Sequence, residues 1–152
     1  MPDLSESIAV SAPAADLYAL ISDLPRMGEW SPECTRVTWR GRPPYAAGSR
    51  FIGHNRIGAI RWISQGVVTE AEPGRRFTFH IYFGPLPVAD WSYELAATPD
   101  GACTVTESWT DRRPRALRHA LSAVYGQRVP LNQQGIHTTL ANLKTAAESG
   151  VR

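Results

Sequence analysis

The strongest constraint on this chain is the run from Ser49 to Thr110, where five alternating apolar and polar stretches follow one another with only tight turns between them. Residues 49–57, 60–71, 75–83, 88–97 and 103–110 show the two-residue period of half-buried strands. The gaps hold Gly58, Glu72-Pro73-Gly74, Gly84-Pro85-Leu86-Pro87 and Pro99-Asp100-Gly101, all with turn chemistry. Links this short join antiparallel neighbours, because a parallel crossover needs a dozen residues or more. The alternation also sorts the faces. Phe77, Phe79, Ile81 and Phe83 share one side, as do Trp91, Tyr93 and Leu95, and Cys103, Val105, Glu107 and Trp109. The other sides carry Thr78, His80, Ser92, Glu94, Thr104, Thr106, Ser108 and Thr110, which suit water.

Around this meander the pattern changes. Residues 5–11 alternate as a first strand with Ile8 and Val10 on one face, and residues 36–40 form a further strand. Leu17, Leu20, Ile21 and Leu24 recur at helical spacing after Pro13, which predicts a short helix over 13–22; a second short helix is expected over 26–30. Residues 114–148 form a long C-terminal helix. Its stripe is Leu117, Leu121 and Val124, then Val129, Ile136, Leu140, Leu143 and Ala147, and Gly150 stops it. Pro130 is expected to bend or interrupt it near Arg128. Asn132 falls one turn before Ile136 on the inner face, and a polar amide there needs partners from core, water or ligand.

One strand, two short helices, about six strands and a long helix predict an α+β fold in which a curved antiparallel sheet buries one face against the last helix. The 152 residues suit a single domain over 1–152. A net charge of +2 with scattered arginines argues against nucleic acid, and the cluster Arg112, Arg113, Arg115 and Arg118 reads as a solvated face. Cys34 and Cys103 read as reduced thiols. Asp3 and Glu6 stand where a signal peptide would be basic and then apolar, and no apolar run reaches the length of a membrane span. These features predict a cytoplasmic protein, monomer or homodimer.

Several stretches resemble the polyketide cyclase/dehydrase-like branch of the START/Bet v 1-like (SRPBCC) superfamily. They are Met27-Gly28-Glu29-Trp30-Ser31-Pro32-Glu33, Phe51-Ile52-Gly53-His54-Asn55-Arg56 with Trp62, and Glu70-Ala71-Glu72-Pro73-Gly74-Arg75-Arg76-Phe77. Trp91-Ser92-Tyr93, Thr106-Glu107-Ser108-Trp109 and Thr139-Leu140-Ala141-Asn142-Leu143-Lys144 follow in the matching order. The resemblance implies a helix-grip: a curved seven-stranded antiparallel sheet wrapped around the C-terminal helix, with two short helices after strand one and a cavity between sheet and helix. It implies a small hydrophobic molecule, polyketide-, aromatic- or lipid-like, as the partner. The alternative it leaves open is a cofactor-free polyketide cyclase/aromatase or dehydratase.

Glu107 is the foremost candidate for chemistry. Its strand turns the carboxylate inward between Val105 and Trp109, and a buried carboxylate without a cation has a raised pKa suited to acid–base work. It is either held structurally, by Arg61, Asn55 or Trp62, or directed at a ligand. Asn55 and Tyr93 complete the catalytic candidates; Trp62, Phe77, Phe79, Trp91, Trp109, Asn132 and Ile136 are the candidate ligand-binding set. Tyr125 and His119 are candidates for the cavity mouth, and the 41–48 loop and Gly84-Pro85-Leu86-Pro87 are expected to border its entrance. His54, His80, His119 and His137 lack zinc-ligand spacing, and no nucleotide motif is present, so neither a metal nor a cofactor is expected.

Overall fold

The computed structural model describes residues 1–125 and 128–150. Strand β1 (Leu4–Val10) leads into helix α1 (Ala14–Ser22) and a turn of 3-10 helix, Leu24–Glu29. Six strands follow: β2 (Cys34–Arg40), β3 (Arg50–Ile57), β4 (Ile60–Glu72), β5 (Arg76–Phe83), β6 (Leu86–Ala97) and β7 (Cys103–Asp111). Helices α2 (Arg115–Tyr125) and α3 (Arg128–Glu148) complete the chain. The seven strands form one antiparallel sheet in the order β1-β7-β6-β5-β4-β3-β2. The strands from β2 to β7 are neighbours in sequence order, as the short links from β3 to β7 require, with a longer loop over 41–49 joining β2 to β3. The two helical pieces after β1 carry the chain to the far edge, where β2 begins. A curved seven-stranded sheet with a long C-terminal helix is the helix-grip fold.

Local chemistry explains the elements. In β7 burial alternates residue by residue, with Cys103, Val105, Glu107 and Trp109 inside and the hydroxyl residues between them facing outward. Pro13 caps α1 in an extended conformation, and Leu17, Leu20 and Ile21 turn inward. Gly28 lets the 3-10 turn press on β2, since a Cβ there would collide with the backbone oxygen of Thr35. Gly66 lies beneath the Phe51 ring of its cross-strand partner, which occupies the space a side chain would take.

Several boundaries differ from expectation. Leu86 and Pro87 belong to β6, so the β5–β6 turn is only Gly84-Pro85. Pro87 is accommodated where the register slips between Ile81 and Tyr82, at an irregularity rather than in a regular ladder. The interruption expected near Arg128 does occur: α2 ends at Tyr125 and α3 begins at Arg128, with Pro130 in its first turn, where its missing N–H has no helical partner to lose. Val129 is half exposed and outside the inner stripe, which is Asn132, Ile136, Thr139, Leu140 and Leu143.

That stripe divides the interior in two. Leu140 and Leu143 of the C-terminal half meet Leu17, Leu24, Val10, Val105 and Cys103 in a closed core. Each such side chain contributes roughly 1.5–3 kcal/mol by burial. The N-terminal half offers Asn132, Gly135 and Thr139 instead, small or polar groups that cannot fill the space between helix and sheet. A cavity remains there.

Candidate functional site

The cavity measures about 780 Å³ and is bounded mainly by apolar side chains. Phe79, Ile81, Trp91 and Trp109 form its sheet wall, and Leu117 and Leu121 of α2 face it from the side of the mouth. Topology places the mouth. The β3–β4 turn at Ile57 and Gly58, the β5–β6 turn at Phe83 and Leu86, and the start of α3 at Arg128 and Leu131 all contribute to the wall at one end of the sheet.

Glu107 lies in this wall, 3% exposed. The β6–β7 register sets it directly opposite Tyr93, and two residues opposite each other in an antiparallel pair share a face. The Tyr93 hydroxyl donates to Glu107 Oε1 at 2.8 Å. Oε2, buried from water, has no hydrogen-bond partner among the described residues. Burial pushes the Glu107 pKa up from 4.5 to about 8, with the Tyr93 hydrogen bond acting against the rise and the charge of Glu6 adding to it. Burial also raises the Tyr93 phenol well above its ordinary value, reinforced by the neighbouring Glu107 charge. Glu107 is therefore mainly a neutral acid at pH 7.

Other polar groups are already engaged. Asn55 donates to Ser64 Oγ at 3.0 Å, and their strands bring Gly53 opposite Ser64 so that the hydroxyl fits where a Cβ would clash. Arg128 Nη2 donates to Glu33 Oε2 at 2.9 Å and to Asn132 Oδ1 at 3.0 Å. Glu33 Oε1 lies 2.8 Å from the same guanidinium, so this carboxylate is paired although that contact lacks hydrogen-bond geometry. At the mouth Arg113 is bonded to Asp111 through both carboxylate oxygens. Burial alone would raise the Asp111 pKa, but the hydrogen bonds and charge of Arg113, with Arg118 nearby, hold it below its ordinary value.

Of the expected residues, Glu107, Asn55, Tyr93, Trp62, Phe79, Trp91, Trp109 and Asn132 come together in this cavity. Phe77 and Ile136 do not. Phe77 packs edge-on against Tyr18 of α1, and Ile136 is enclosed in the core at 1% exposure. Arg61 is exposed and does not pair with Glu107; the partner is Tyr93. The β5–β6 turn borders the mouth as expected, but the 41–48 loop stands at the other end of the sheet. There Tyr45 stacks on Trp39 with ring centroids 4.1 Å apart, beside a separate cavity of about 380 Å³. His119 is exposed and outside the wall, and the side chains of Val124 and Tyr125 lie outside the described residues. Arg113, read as part of a solvated face, is largely buried. Sequence reasoning also passed over Glu33 and Arg128, which owe their places to each other across 95 residues, and Ser64, whose partner Asn55 lies across the β3–β4 hairpin. Among the described residues no group of three or more His, Cys, Asp or Glu is gathered as metal ligands, and no helix is long and apolar enough to cross a membrane.

A seven-stranded sheet gripping a C-terminal helix, with an apolar cavity and an internal carboxyl group, defines the class as a cavity-bearing helix-grip protein. The chain belongs to the family described as polyketide cyclase / dehydrase and lipid transport, which matches residues 1–148. Among solved structures it is similar to the di-domain ARO/CYC StfQ from the steffimycin biosynthetic pathway. The TM-score is 0.70 at 14% identity, covering 97% of this chain and 45% of that one, so this chain spans less than half of StfQ. It is similar to a polyketide-cyclase-like protein of Corynebacterium glutamicum, with TM-score 0.61 and 28% identity over 98% of this chain and 93% of that one. A third likeness is to DR_A0006 of Deinococcus radiodurans, with TM-score 0.69 and 17% identity over 97% and 98% of the two chains. No curated protein matches the chain.

Proposed function

We propose that the protein binds an apolar small molecule of polyketide-, aromatic- or lipid-like character that carries a hydrogen-bond-accepting oxygen. The observation that carries this reading is the Oε2 atom of Glu107, unpartnered in an otherwise apolar cavity. A buried polar atom left without a partner costs free energy, and a ligand oxygen accepting from the neutral acid removes that cost. Apolar walls supply most of the affinity, and the acid fixes the orientation.

A titration with a hydroxyanthraquinone as fluorescent probe tests this. Affinity is expected to fall as pH rises through about 8, where Glu107 ionises. Glu107→Gln retains a neutral donor and is expected to bind with no such pH dependence. Glu107→Ala is expected to bind about tenfold more weakly or worse, a loss of about 1.4 kcal/mol. Equal affinity in all three proteins across this range would remove Glu107 from the site.

The same carboxyl favours a second reading, a cofactor-free cyclase/aromatase or dehydratase. An acid with a pKa of about 8, hydrogen-bonded to a phenol, can protonate a ketone oxygen or leaving hydroxyl and recover the proton near neutral pH. StfQ is described as an ARO/CYC, and the similar DynU16 as a putative protein of the dynemicin biosynthetic locus. Under this reading Glu107→Gln keeps binding but loses turnover of a poly-β-keto substrate by roughly 10²–10⁴. The two readings separate on that variant.

A further inference from the structure

We propose that the rim of the cavity docks on the surface of an anionic lipid bilayer, with the mouth turned toward the membrane. This does not rest on the identity of the ligand. The β3–β4 hairpin projects: its pairs Ile57↔Ile60, Arg56↔Arg61, Asn55↔Trp62 and His54↔Ile63 lie beyond Gln65↔Tyr82, the last pair that β4 makes with β5. Arg56 and Arg61 are therefore directly opposed on one face of an exposed hairpin. Like charges in that position destabilise a sheet. Neither has an ion pair among the described residues, and nor does Arg115 at the start of α2. The nearby carboxylates are committed elsewhere, Glu33 to Arg128, Asp111 to Arg113 and Asp90 to Arg112. The rim thus holds uncompensated positive charge.

It also holds the exposed apolar side chains. Ile60 and Ile63 on the hairpin are 43% and 53% exposed, Phe83 at the β5–β6 turn 50%, and Val129 and Leu131 at the start of α3 49% and 42%. Apart from Met1 and Tyr45, these are all the exposed large apolar side chains among the described residues. They protrude from three separate elements around the mouth, and Phe83 and Leu131 among them also contribute to the cavity wall. Separate apolar tips within a basic collar fit insertion among anionic headgroups, with the arginines at the phosphate level.

Co-sedimentation with phosphatidylcholine vesicles, with and without phosphatidylglycerol, tests the proposal on the whole protein. The protein is expected to sediment with the anionic vesicles only, and less as salt is raised. Arg56→Gln combined with Arg61→Gln is expected to weaken partitioning about tenfold or more. Ile60→Ser combined with Ile63→Ser is expected to weaken it comparably at low salt, with the charge intact. Unchanged melting temperatures show that both variants fold, as substitutions at exposed positions should. Wild-type protein that ignores anionic vesicles at low salt overturns the proposal and leaves an acidic protein as the occupant of this surface. Arginine variants that bind as the wild type does overturn it equally.

Discussion

Replacing Glu107 by Gln should change how stability depends on pH, in a direction that the structure fixes. Burial raises the Glu107 pKa from 4.5 to about 8, so the folded state favours the neutral acid. A carboxyl raised in this way contributes stability that is fully present below its unfolded pKa and is lost as pH climbs through its folded pKa. Between pH 4.5 and about 8 the unfolded chain is ionised while the folded chain keeps its proton, so unfolding releases a proton. Stability then falls by roughly 1.4 kcal/mol per pH unit in that window. Over the whole rise the effect is on the order of 5 kcal/mol, an upper value because water penetration and relaxation soften such penalties. Glu107→Gln has nearly the same shape and no titrating proton. Urea denaturation of both proteins at pH 5 and pH 7 should show the wild type losing about 2–3 kcal/mol relative to the variant across that interval. Other titrating groups largely cancel in the difference. A difference that is constant with pH, or one that grows in favour of the wild type, would refute the burial argument. It would place Glu107 in contact with water.

Three further outcomes follow from the same geometry. Tyr93→Phe removes the donor to Oε1, so it should cost about 1–3 kcal/mol and push the Glu107 pKa still higher, seen as a later break in the pH–stability curve. Gly28→Ala should destabilise by about 1–3 kcal/mol, read as a lowered urea midpoint, because its Cβ meets the Thr35 backbone, which cannot move aside as a side chain can. Cys34, whose thiol burial pushes up to about 11, should resist a disulfide-exchange reagent at pH 8 until the protein is unfolded; prompt labelling in native buffer would contradict its burial.

Periodicity exposed the sheet because a two-residue alternation is a local property, repeated in β5, β6 and β7 between unmistakable turns. The same alternation turned Glu107 inward, where the structure places it. It did not reveal the partner, although the turn at residues 98–102 allows the register to be counted outward from Ala97↔Cys103 to Tyr93↔Glu107. Strand alternation misled at Phe77, and helical spacing at Ile136. Both turn inward, but inward at their positions means α1 and the closed core, not the cavity.

The amino-acid sequence by itself determined the order of elements, the antiparallel meander, the apolar faces and the inward carboxyl, since all four follow from the spacing of neighbouring residues along one strand or helix. Tertiary structure alone decided where that interior is filled and where it is empty. Leu140 and Leu143 close one half only because α1 and β1 deliver Leu17 and Val10 against them, while Asn132, Gly135 and Thr139 leave the other half open. It also decided that Arg128 neutralises Glu33, 95 residues away, while Arg56 and Arg61 face each other across a hairpin with no ion pair among the described residues. Charge pairing and cavity volume depend on distances between elements far apart in the chain, and no periodicity records those distances.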